Sequence, residues 1–448
     1  MEKAATMKNN TVIRFFWLVA LVVLLAIPAP AQTATDQWAN WRGPLQTGVA
    51  PKGDPPTEWS EDKNIRWKTA LPGLGHSSPI VWGDRIYLTS AREIGEKFEP
   101  RPDTAPGAHD NKLVSSKFEF LAIAVDRLTG KIVWQKSLKS AIPHEGAHIS
   151  ASLASASAVT DGAHIYFHFG SYGTYCLAPD GQTVWKRDLG TMNSKHGHGE
   201  GSSPALFKDK LIINWDHEKQ SFILALDKKT GKTQWKVDRS EVTSWSSPVI
   251  VEVDGKPQVI VSATERIRGY DFETGKVIWS CAGLSNNVCS SPVYQNGMLY
   301  AGSSYVKRMV MGIKIAGAKG DVTNTDRVVW SRQDRPPYVP SLLLVDDHLY
   351  YLRHYQGVLT RLTAETGTEP SGPFRLGSMR EIYASPVAAD HRIYITDRRG
   401  DTVVMSTNEE PKRLGFNRLN DSFSASAAIV GEQLFLRGER FLYCIAEK

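Results

Sequence analysis

Short stretches of alternating apolar and polar positions occur in pairs along the chain, and a turn containing Gly, Asp or Asn separates the two members of most pairs. In "SSPIVWGDRIY" (77–87), short β-branched and aromatic runs lie on both sides of Gly83, as in two β-strands, and the glycine supplies the turn conformation. Eight such units, some of them degenerate, can be traced. A serine begins each unit: Ser78, Ser157, Ser203, Ser247, Ser291, Ser341, Ser385 and Ser426.

The spacing between these serines identifies the length of the repeating unit. After the first interval, neighbouring serines are 41 to 50 residues apart, which is the length that four short strands and their turns require. Units of this kind form the blades of a β-propeller, in which each small sheet packs against the next around a central axis. The pattern therefore predicts an all-β fold, an eight-bladed β-propeller of four-stranded antiparallel blades.

A second phrase recurs in the other half of the unit, for example as "AVDRLTGKIVW" (124–134) and "ALDKKTGKTQW" (225–235). In the first copy we expect Asp126 to accept hydrogen bonds from the turn, Thr129 to add a hydroxyl bond, and Gly130 to adopt positive φ. The phrase thus predicts a strand, a tight turn and a strand that ends in a large ring able to cover the join to a neighbouring blade. The tryptophans with this structural role are Trp67, Trp134, Trp185, Trp235, Trp279 and Trp330.

The two ends of the repeat region are incomplete in complementary ways. "NIRWKTALPG", around Trp67, has the pattern of an outer strand without a preceding partner, and "RFLYCIAEK" at the end of the chain is a third strand without a fourth. Pairing them would complete the eighth blade, place Trp67 near Leu442, and remove the exposed sheet edges of an open array. We therefore expect residues 59–448 to form the closed propeller, with 32–58 as a Pro/Gly-rich lead-in packed on its surface.

The N-terminus has the pattern of a targeting segment. Three basic residues precede an apolar run from Phe15 to Ile27, and small residues follow as far as Ala31. This run is too short to span a bilayer, so residues 1–31 are predicted to be a signal peptide cleaved near Ala31, with an uncleaved anchor as the alternative. The mature chain would then be periplasmic or secreted, without a transmembrane segment. The first cysteine, Cys176, is far from the cleavage point, so lipid attachment there is not expected.

Charge and cysteine content narrow the possible partners and cofactors. The net charge of +6 arises from interspersed residues of both signs without a basic run, so a nucleic-acid partner is not expected. We also expect the protein to be a monomer. Cys176 and Cys444 lie in apolar strand patterns and are predicted to be buried thiols, whereas Cys281 and Cys289 are close enough in sequence to form a disulfide. The absence of any CxxC or CxxCH motif excludes thiolate zinc sites of that type and covalent haem.

The repeated phrase A-x-D-x-x-T-G-K-x-x-W, matched in full by residues 124–134 and 225–235, resembles the tryptophan-docking repeat of the pyrroloquinoline-quinone (PQQ) propeller superfamily. The SSP units and the ending "LYCI" are similar to those of secreted PQQ-like repeat proteins, relatives of the outer-membrane barrel-assembly propeller lipoprotein and, more distantly, of quinoprotein alcohol dehydrogenases. The resemblance implies the propeller fold for almost the whole mature chain. The chain departs from the dehydrogenases because it has no adjacent cysteine pair and none of the segments that carry their calcium ligands and catalytic aspartate.

In a propeller, the residues just before each SSP unit surround one mouth of the central channel. The positions read from the sequence are His76, Ser155, Gly201, Trp245, Cys289, Val339, Tyr383 and Ser424, with Tyr338 adjacent to Val339. From these residues we predict a binding site at the channel mouth formed by His76, Trp245, Tyr338 and Tyr383. Such an aromatic and polar rim suits a small ligand or a peptide, although propellers that bind nothing there also have mixed rims.

Histidines are concentrated in two glycine-containing segments that precede consecutive blades. "HEGAHIS" contributes His144 and His148, and "KHGHGEGSSP" contributes His196 and His198, while His217 follows the second strand of blade three. Neutral imidazoles with the neighbouring carboxylates Glu145, Glu200, Asp216 and Glu218 form a ligand set that suits zinc or another transition metal. The alternative is that these histidines form hydrogen bonds to the backbone or to water within loops. A metal site requires His148, His198 and His217 to converge.

Two hypotheses for function follow. The first is a non-catalytic periplasmic or secreted scaffold that binds a protein, peptide or glycan partner through the channel mouth and its long loops, 91–118 and 303–327. The second is a PQQ-dependent enzyme with calcium, or a metal-dependent oxidoreductase. The missing cofactor-side motifs favour the scaffold, with no cofactor expected, and no catalytic residue can be assigned from the sequence.

Overall fold

The computed structural model describes residues 36–447, in which β-strands and tight turns surround a central channel. The first two strands are β1 (Val49–Ala50) and β2 (Ile65–Ala70). The strands of the first four blades and of a small extra sheet follow as β3 (Ile80–Trp82), β4 (Arg85–Ile94), β5 (Asn111–Lys112), β6 (Lys117–Asp126), β7 (Ile132–Ala141), β8 (Ala147–His148), β9 (Val159–Thr160), β10 (Ile165–His168), β11 (Thr174–Leu177), β12 (Thr183–Arg187), β13 (Ala205–Phe207), β14 (Lys210–Trp215), β15 (Ser221–Asp227), β16 (Thr233–Arg239), β17 (Val249–Val253), β18 (Lys256–Val261), β19 (Ile267–Asp271) and β20 (Val277–Cys281).

The second half of the chain repeats the arrangement. Its strands are β21 (Val293–Gln295), β22 (Met298–Ser303), β23 (Met309–Lys314), β24 (Gly320–Asp321), β25 (Val328–Arg332), β26 (Leu343–Val345), β27 (His348–Leu352), β28 (Val358–Thr363), β29 (Phe374–Arg375), β30 (Val387–Ala389), β31 (Arg392–Thr396), β32 (Asp401–Ser406), β33 (Arg413–Arg418), β34 (Ala428–Val430), β35 (Gln433–Arg437) and β36 (Phe441–Ile445). Two short 3-10 turns, Gly170–Tyr172 and Lys195–Gly197, lie in the loops between strands. No helix among residues 36–447 is long and apolar enough to cross a bilayer.

These strands form eight blades, each an antiparallel sheet of four strands, and the small extra sheet of β5 and β8. The innermost strands, which begin with β3 in blade one and end with β34 in blade eight, are neighbours around the ring, and β3 also contacts β34. Apolar residues of adjacent sheets interdigitate between the blades, so seven buried clusters fill the joins. The predicted eight-bladed propeller is therefore confirmed, and its rigidity comes from sheet-on-sheet packing.

The ring is closed by strands from the two ends of the repeat region. β2 pairs antiparallel with β36, and Trp67 lies opposite Cys444 while Thr69 lies opposite Leu442. Blade eight is thus β34, β35 and β36 with β2 as its outer strand. This closure was predicted from the two incomplete ends, and it leaves no open edge between the first and last blades.

The repeated turn has the predicted hydrogen bonds. The Asp126 carboxylate accepts from the Thr129 amide at 2.9 Å and from the Thr129 hydroxyl at 2.8 Å, and Gly130 has a φ of 72°. The same pattern recurs at Asp227 and at Asp271. The Asp and Thr side chains satisfy the turn, and the glycine provides the left-handed conformation that other residues resist.

The glycine of each turn also makes room for a tryptophan of the preceding blade. The Trp185 indole donates a 2.9 Å hydrogen bond to the Lys228 carbonyl, and a Cβ at Gly231 would lie only 2.8 Å from the Trp185 ring. Trp67, Trp134, Trp235 and Trp330 make equivalent indole bonds to the next blade's turn. Trp279 differs because its indole bonds to Gln258 of its own blade, although its ring packs among blade-five residues. All six rings therefore pack at blade joins, but one has a different hydrogen-bond partner.

A second set of bonds joins the blades at the channel wall. The backbone N–H of each anchoring serine donates to the hydroxyl oxygen of the anchoring serine in the next blade, at 2.8 to 2.9 Å, from Ser78 through to Ser426. We call these eight serines the serine belt. Its seven bonds link all eight blades in order. At the remaining join the Ser78 hydroxyl has no partner in the described chain, and the Arg437 guanidinium bonds to Ser77 instead.

The lead-in packs on the inner wall of the propeller and crosses one end of its channel. Trp38 forms a bridge with Val81 of blade one and is fully buried, while β1 pairs in parallel with β30 of blade seven. Between them, Arg42 is buried and donates to the carbonyl oxygens of Leu342 and Pro386 at 2.9 and 3.0 Å. The Gln46 side chain also bonds to the Ile250 backbone of blade four, at 2.8 and 3.1 Å, so the lead-in contacts the innermost strands of blades one, four and seven.

Two insertions and the cysteines complete the fold. In the 91–118 insertion, β5 pairs with β8 and so ties blade one to the segment that precedes blade two. In blade five, β24 pairs in parallel with the outer strand β20 of blade four.

All four cysteines are free thiols, so the possible bridge between Cys281 and Cys289 is not formed, and Cys176, Cys281 and Cys444 are buried. The predicted signal peptide, residues 1–31, lies outside the described residues.

We expect Gly231→Ala to destabilise the protein more than Gly255→Ala. Both glycines have positive φ, 68° and 73°, so both substitutions carry the left-handed penalty of about 1–2 kcal/mol. Only Gly231 lies against a tryptophan ring, whereas a Cβ at Gly255 would meet nothing within 4 Å. At Gly231, overpacking against the ring should add a further loss of about 1–3 kcal/mol in the free energy of unfolding. Urea denaturation of the two variants measures this difference. Equal losses would show that the ring and glycine are not tightly packed.

The serine belt gives a second matched pair, Ser291→Ala and Ser78→Ala. Both side chains are buried, at 2% and 1% exposure, but only the Ser291 hydroxyl accepts a belt bond, from the Ser247 N–H at 2.8 Å. Removing it leaves a buried N–H without an acceptor, at a cost of about 1–3 kcal/mol. Ser78→Ala removes no hydrogen bond and should change the free energy of unfolding by less than about 0.5 kcal/mol. A near-neutral Ser291→Ala would mean that the belt does not stabilise the ring.

Candidate functional site

The channel mouth forms a cavity with a volume of about 1180 Å³. All the rim positions that were read from the sequence line it: His76, Ser155, Gly201, Trp245, Cys289, Tyr338, Val339, Tyr383 and Ser424. They converge because each precedes an innermost strand, and those strands all begin at the same end of the ring. Whether the four chosen residues, His76, Trp245, Tyr338 and Tyr383, bind a ligand stays a prediction.

The floor of this cavity is provided by the lead-in. Trp41 lines the cavity, and the neighbouring Arg42 guanidinium lies 5.8 Å from the centre of the Trp41 ring. Arg42 is held by three carbonyl oxygens, those of Thr47, Leu342 and Pro386. The floor is therefore fixed to the channel wall by buried hydrogen bonds, and a ligand would enter the cavity from the mouth.

A ladder of aromatic rings forms one side of the mouth, along blades five to seven. Tyr305 stacks on Tyr338 at a centroid distance of 5.9 Å, and Tyr338 stacks on His354 at 4.7 Å. The ladder continues from His354 to Tyr355 at 4.2 Å and from Tyr355 to Tyr383 at 5.7 Å. Since these rings pack on one another, much of each ring face is covered and the ladder is a rigid wall with hydroxyl groups along it.

Positive charge exceeds negative charge at the mouth. Arg308, Arg335 and Arg353 line the cavity, whereas Asp110 is the only carboxylate among the lining residues. Arg353 is paired with Glu369 at 3.1 Å, and Arg335 lies 3.9 Å from Asp334. Calcium in proteins takes six to eight oxygen ligands that include carboxylates, so this lining does not fit the calcium that accompanies PQQ.

A group of four histidines forms the opposite side, where the 91–118 insertion meets the segments before blades two and three. The ring centroids of His109 and His148 each lie 4.8 Å from that of His198, and those of His109 and His196 are 4.9 Å apart. Burial and the proximity of His148 lower the pKa of His198 to about 4, so this imidazole is neutral at pH 7. We call these four residues the histidine cluster.

The five predicted metal-ligating histidines do not converge on one site. His148, His196 and His198 belong to the histidine cluster, but His144 bonds to the Met192 carbonyl at 2.7 Å and His217 bonds to the Gln220 carbonyl at 3.1 Å. In residues 36–447, no group of three or more His, Cys, Asp or Glu side chains has an arrangement that could hold a metal ion.

The four carboxylates of the predicted metal-ligand set form ion pairs or hydrogen bonds with other side chains. Asp216 forms a buried ion pair with Arg239 at 2.7 Å, and Glu218 accepts from the Thr243 hydroxyl at 2.7 Å. Glu145 and Glu200 each accept an amide and a hydroxyl hydrogen bond from one serine, Ser194 and Ser171 respectively. Burial raises the pKa of Glu200 to about 8. These side chains therefore hold loops together.

His76 lies between the mouth and a buried arginine. Its Nε2 atom is buried without a hydrogen-bond partner in the described chain, and burial together with the charge of Arg437 lowers its pKa to about 3. Arg437 is itself 2% exposed and donates to the Ser77 carbonyl at 3.2 Å. The neutral His76 side chain and the buried guanidinium thus add a polar, positively charged section to the wall.

Several lining residues could not be found by following the repeat. Trp41 belongs to the lead-in, which has no repeat pattern, and His109 belongs to the 91–118 insertion. Tyr305 and Tyr355 lie on loops between strands. Their aromatic and imidazole composition was visible in the sequence, but only the three-dimensional arrangement of the loops brings them to the mouth.

Known structures share this fold at low sequence identity. The BamB protein from Moraxella catarrhalis is 14% identical, with 80% of this chain and 96% of that chain covered and a TM-score of 0.50. The computationally designed Ika8 protein is 12% identical, with 84% and 99% covered and a TM-score of 0.53. A quinohemoprotein alcohol dehydrogenase from Comamonas testosteroni is 9% identical, with 93% and 81% covered and a TM-score of 0.49. The likenesses to BamB and Ika8 show the fold alone.

Comparison at the level of protein families is more specific. No curated protein sequence matches the chain significantly. The family model described as outer membrane protein assembly factor BamB matches it three times, over residues 56–196, 118–370 and 219–446. The overlapping matches cover the propeller from the segment before β2 to the last strand, as expected when one repeat pattern can be aligned in several registers. The chain therefore belongs to the family described as outer membrane protein assembly factor BamB.

Proposed function

We propose that this protein is a non-catalytic propeller scaffold that binds a protein, peptide or glycan partner at its channel mouth. The observation that carries the proposal is the cavity of about 1180 Å³, which is lined by aromatic and polar side chains and floored by the lead-in. Its wall is built from rigid blades, while its rim consists of loops, the combination that binding proteins use to position contacts. The family description, an assembly factor, is consistent with a scaffold role.

The titratable groups around the mouth favour binding over catalysis. Burial raises the pKa of the Cys289 thiol to about 12, so it is not a thiolate nucleophile at neutral pH. The lowered pKa of His76 keeps its imidazole neutral, and the Glu145 and Glu200 carboxylates, which do not line the cavity, accept hydrogen bonds from serines. An enzyme needs a nucleophile, an acid or a base with a suitable pKa near the substrate, and these side chains do not supply that set.

The location of the protein and its assembly state are part of the same proposal. The signal peptide predicted for residues 1–31 would direct the chain to the periplasm or outside the cell. The pairing of β2 with β36 completes blade eight and closes the ring within one chain, which is consistent with a monomer. No cofactor is required by a scaffold of this kind.

Filling the mouth should abolish partner binding without unfolding the propeller. In Gly201→Phe the new Cβ would meet Trp245 at 3.4 Å, an ordinary contact, and the ring would extend into the cavity. Val184→Phe, on the exposed face of β12, adds the same ring away from the mouth and serves as the control. We expect partners cross-linked from a cell-envelope extract to be retained by Val184→Phe and lost from Gly201→Phe.

Two outcomes would contradict the proposal. Partners that are retained by Gly201→Phe, in a variant whose thermal unfolding matches the wild type, would place the binding surface elsewhere. Purified wild-type protein that acquires cofactor absorbance and reduces a dye after incubation with PQQ and calcium would favour the oxidoreductase. A flat spectrum with no dye reduction is expected.

A further inference from the structure

The serine belt has a chemical property beyond its role in joining the blades. Each belt hydroxyl from Ser157 to Ser426 accepts a backbone N–H with its oxygen, but its own hydrogen has no acceptor among residues 36–447. A hydroxyl group can donate one bond while it accepts others, so these donors remain available. Five of the belt serines line the cavity: Ser157, Ser203, Ser247, Ser385 and Ser426.

Positive charge adjoins these donors. Arg308 lines the cavity, is exposed, and forms no ion pair with a carboxylate of the described chain. Two buried arginines lie behind the wall, Arg42 beside Trp41 and Arg437 beside His76, and their guanidinium groups bond to backbone carbonyls. The single lining carboxylate, Asp110, cannot offset these charges. The electrostatic potential of the cavity therefore favours an anionic group.

The remaining lining suits a ligand with many hydroxyl groups. The free belt donors are distributed around the wall, tyrosine hydroxyls lie along the aromatic ladder on one side, and Trp41 provides an aromatic surface at the floor. Aromatic ring faces carry partial negative charge and attract the weakly polarised C–H groups of a flat sugar face. Peptides are usually held by an exposed sheet edge or by apolar pockets for side chains, and neither feature is prominent here.

We propose that the channel mouth binds the end or a side branch of an acidic saccharide, in which a carboxylate or sulfate group is held by Arg308 and the belt hydroxyls while sugar hydroxyls contact the remaining donors. This inference rests on the proposed function and names its ligand class. Because the lead-in closes the floor, the saccharide enters by its end and does not pass through the ring. The volume of about 1180 Å³ exceeds that of common small-molecule pockets, about 300–1,000 Å³, and so accommodates more than one sugar unit.

The test is isothermal titration calorimetry of the purified chain with four probes of similar length. These are oligogalacturonate as the carboxylated saccharide, a sulfated galactan oligosaccharide, a neutral gluco-oligosaccharide, and oligoglutamate as an acidic peptide. We expect binding of the carboxylated or the sulfated probe, with affinity that falls as salt rises, and at least about ten-fold weaker binding of the neutral probe. Comparison of the first two probes identifies which acidic group is preferred.

A matched pair of variants tests the location of the site. Arg308→Gln removes a lining cation, whereas Lys307→Gln makes the same change in net charge at a neighbouring exposed residue that does not line the cavity. We expect Arg308→Gln and Gly201→Phe to weaken saccharide binding by about ten-fold or more, since a hydrogen bond to a charged group is lost or the cavity is filled. Lys307→Gln should leave the affinity within about two-fold, because an exposed charge outside the site is screened.

The inference and the proposed function fail in different ways. Tighter binding of oligoglutamate than of both acidic saccharides, binding of none of the saccharides, or equal losses in Lys307→Gln and Arg308→Gln would each overturn the acidic-saccharide assignment. In all three cases the scaffold proposal survives if Gly201→Phe still loses its cross-linked partners. Loss of the scaffold proposal instead requires those partners to be retained when the mouth is filled.

Discussion

The hydrogen bond from one anchoring serine to the next is the interaction on which the architecture of the mouth depends. It fixes the start of each innermost strand relative to its neighbour, so the residue before each SSP unit is delivered to the same end of the ring. The belt needs one small hydroxyl side chain per blade, which explains why a serine persists even in the degenerate units. At the eighth join, the hydrogen bond from the Arg437 guanidinium of blade eight to the Ser77 carbonyl of blade one takes the place of a bond between Ser426 and Ser78.

The tryptophan and glycine pairs act at the outer side of the blades as the belt acts at the channel. Trp185 covers Gly231 and bonds to the Lys228 carbonyl, so one residue type supplies apolar burial and a specific hydrogen bond to the next blade. Trp279 shows that the hydrogen-bond partner of the indole can differ while the ring still packs between two blades. Its hydrogen bond is made within its own blade, while its ring still packs against blade five, where the usual turn is replaced by a longer insertion.

The blades were predictable from the repeat, because strands and turns that recur at a regular interval indicate the local conformation. The closure of the ring was predictable because one end of the repeat region has an unpaired outer strand and the other end lacks one. The rim residues from His76 to Ser424 followed from the same period, since each occupies the same place in its unit. The course of the lead-in was not predictable: Arg42 bonds to carbonyls of Leu342 and Pro386, about three hundred residues away, and no local pattern encodes such contacts. His109 was missed for the same reason, because only the pairing of β5 with β8 brings the insertion to His148.

Division of labour between the belt and the rim explains how such a ring can acquire different binding chemistries. The belt serines and the tryptophans join the blades through hydrogen bonds to backbone groups. The side chain before each SSP unit takes little part in these hydrogen bonds between blades. Substitution at Gly201 or Tyr383 therefore alters the mouth with little effect on the ring. The belt hydroxyls of Ser157, Ser203, Ser247, Ser385 and Ser426 line the cavity, so the bonds that hold the ring also place polar groups at the base of the mouth. Arginines, the aromatic ladder and the histidine cluster lie above that base.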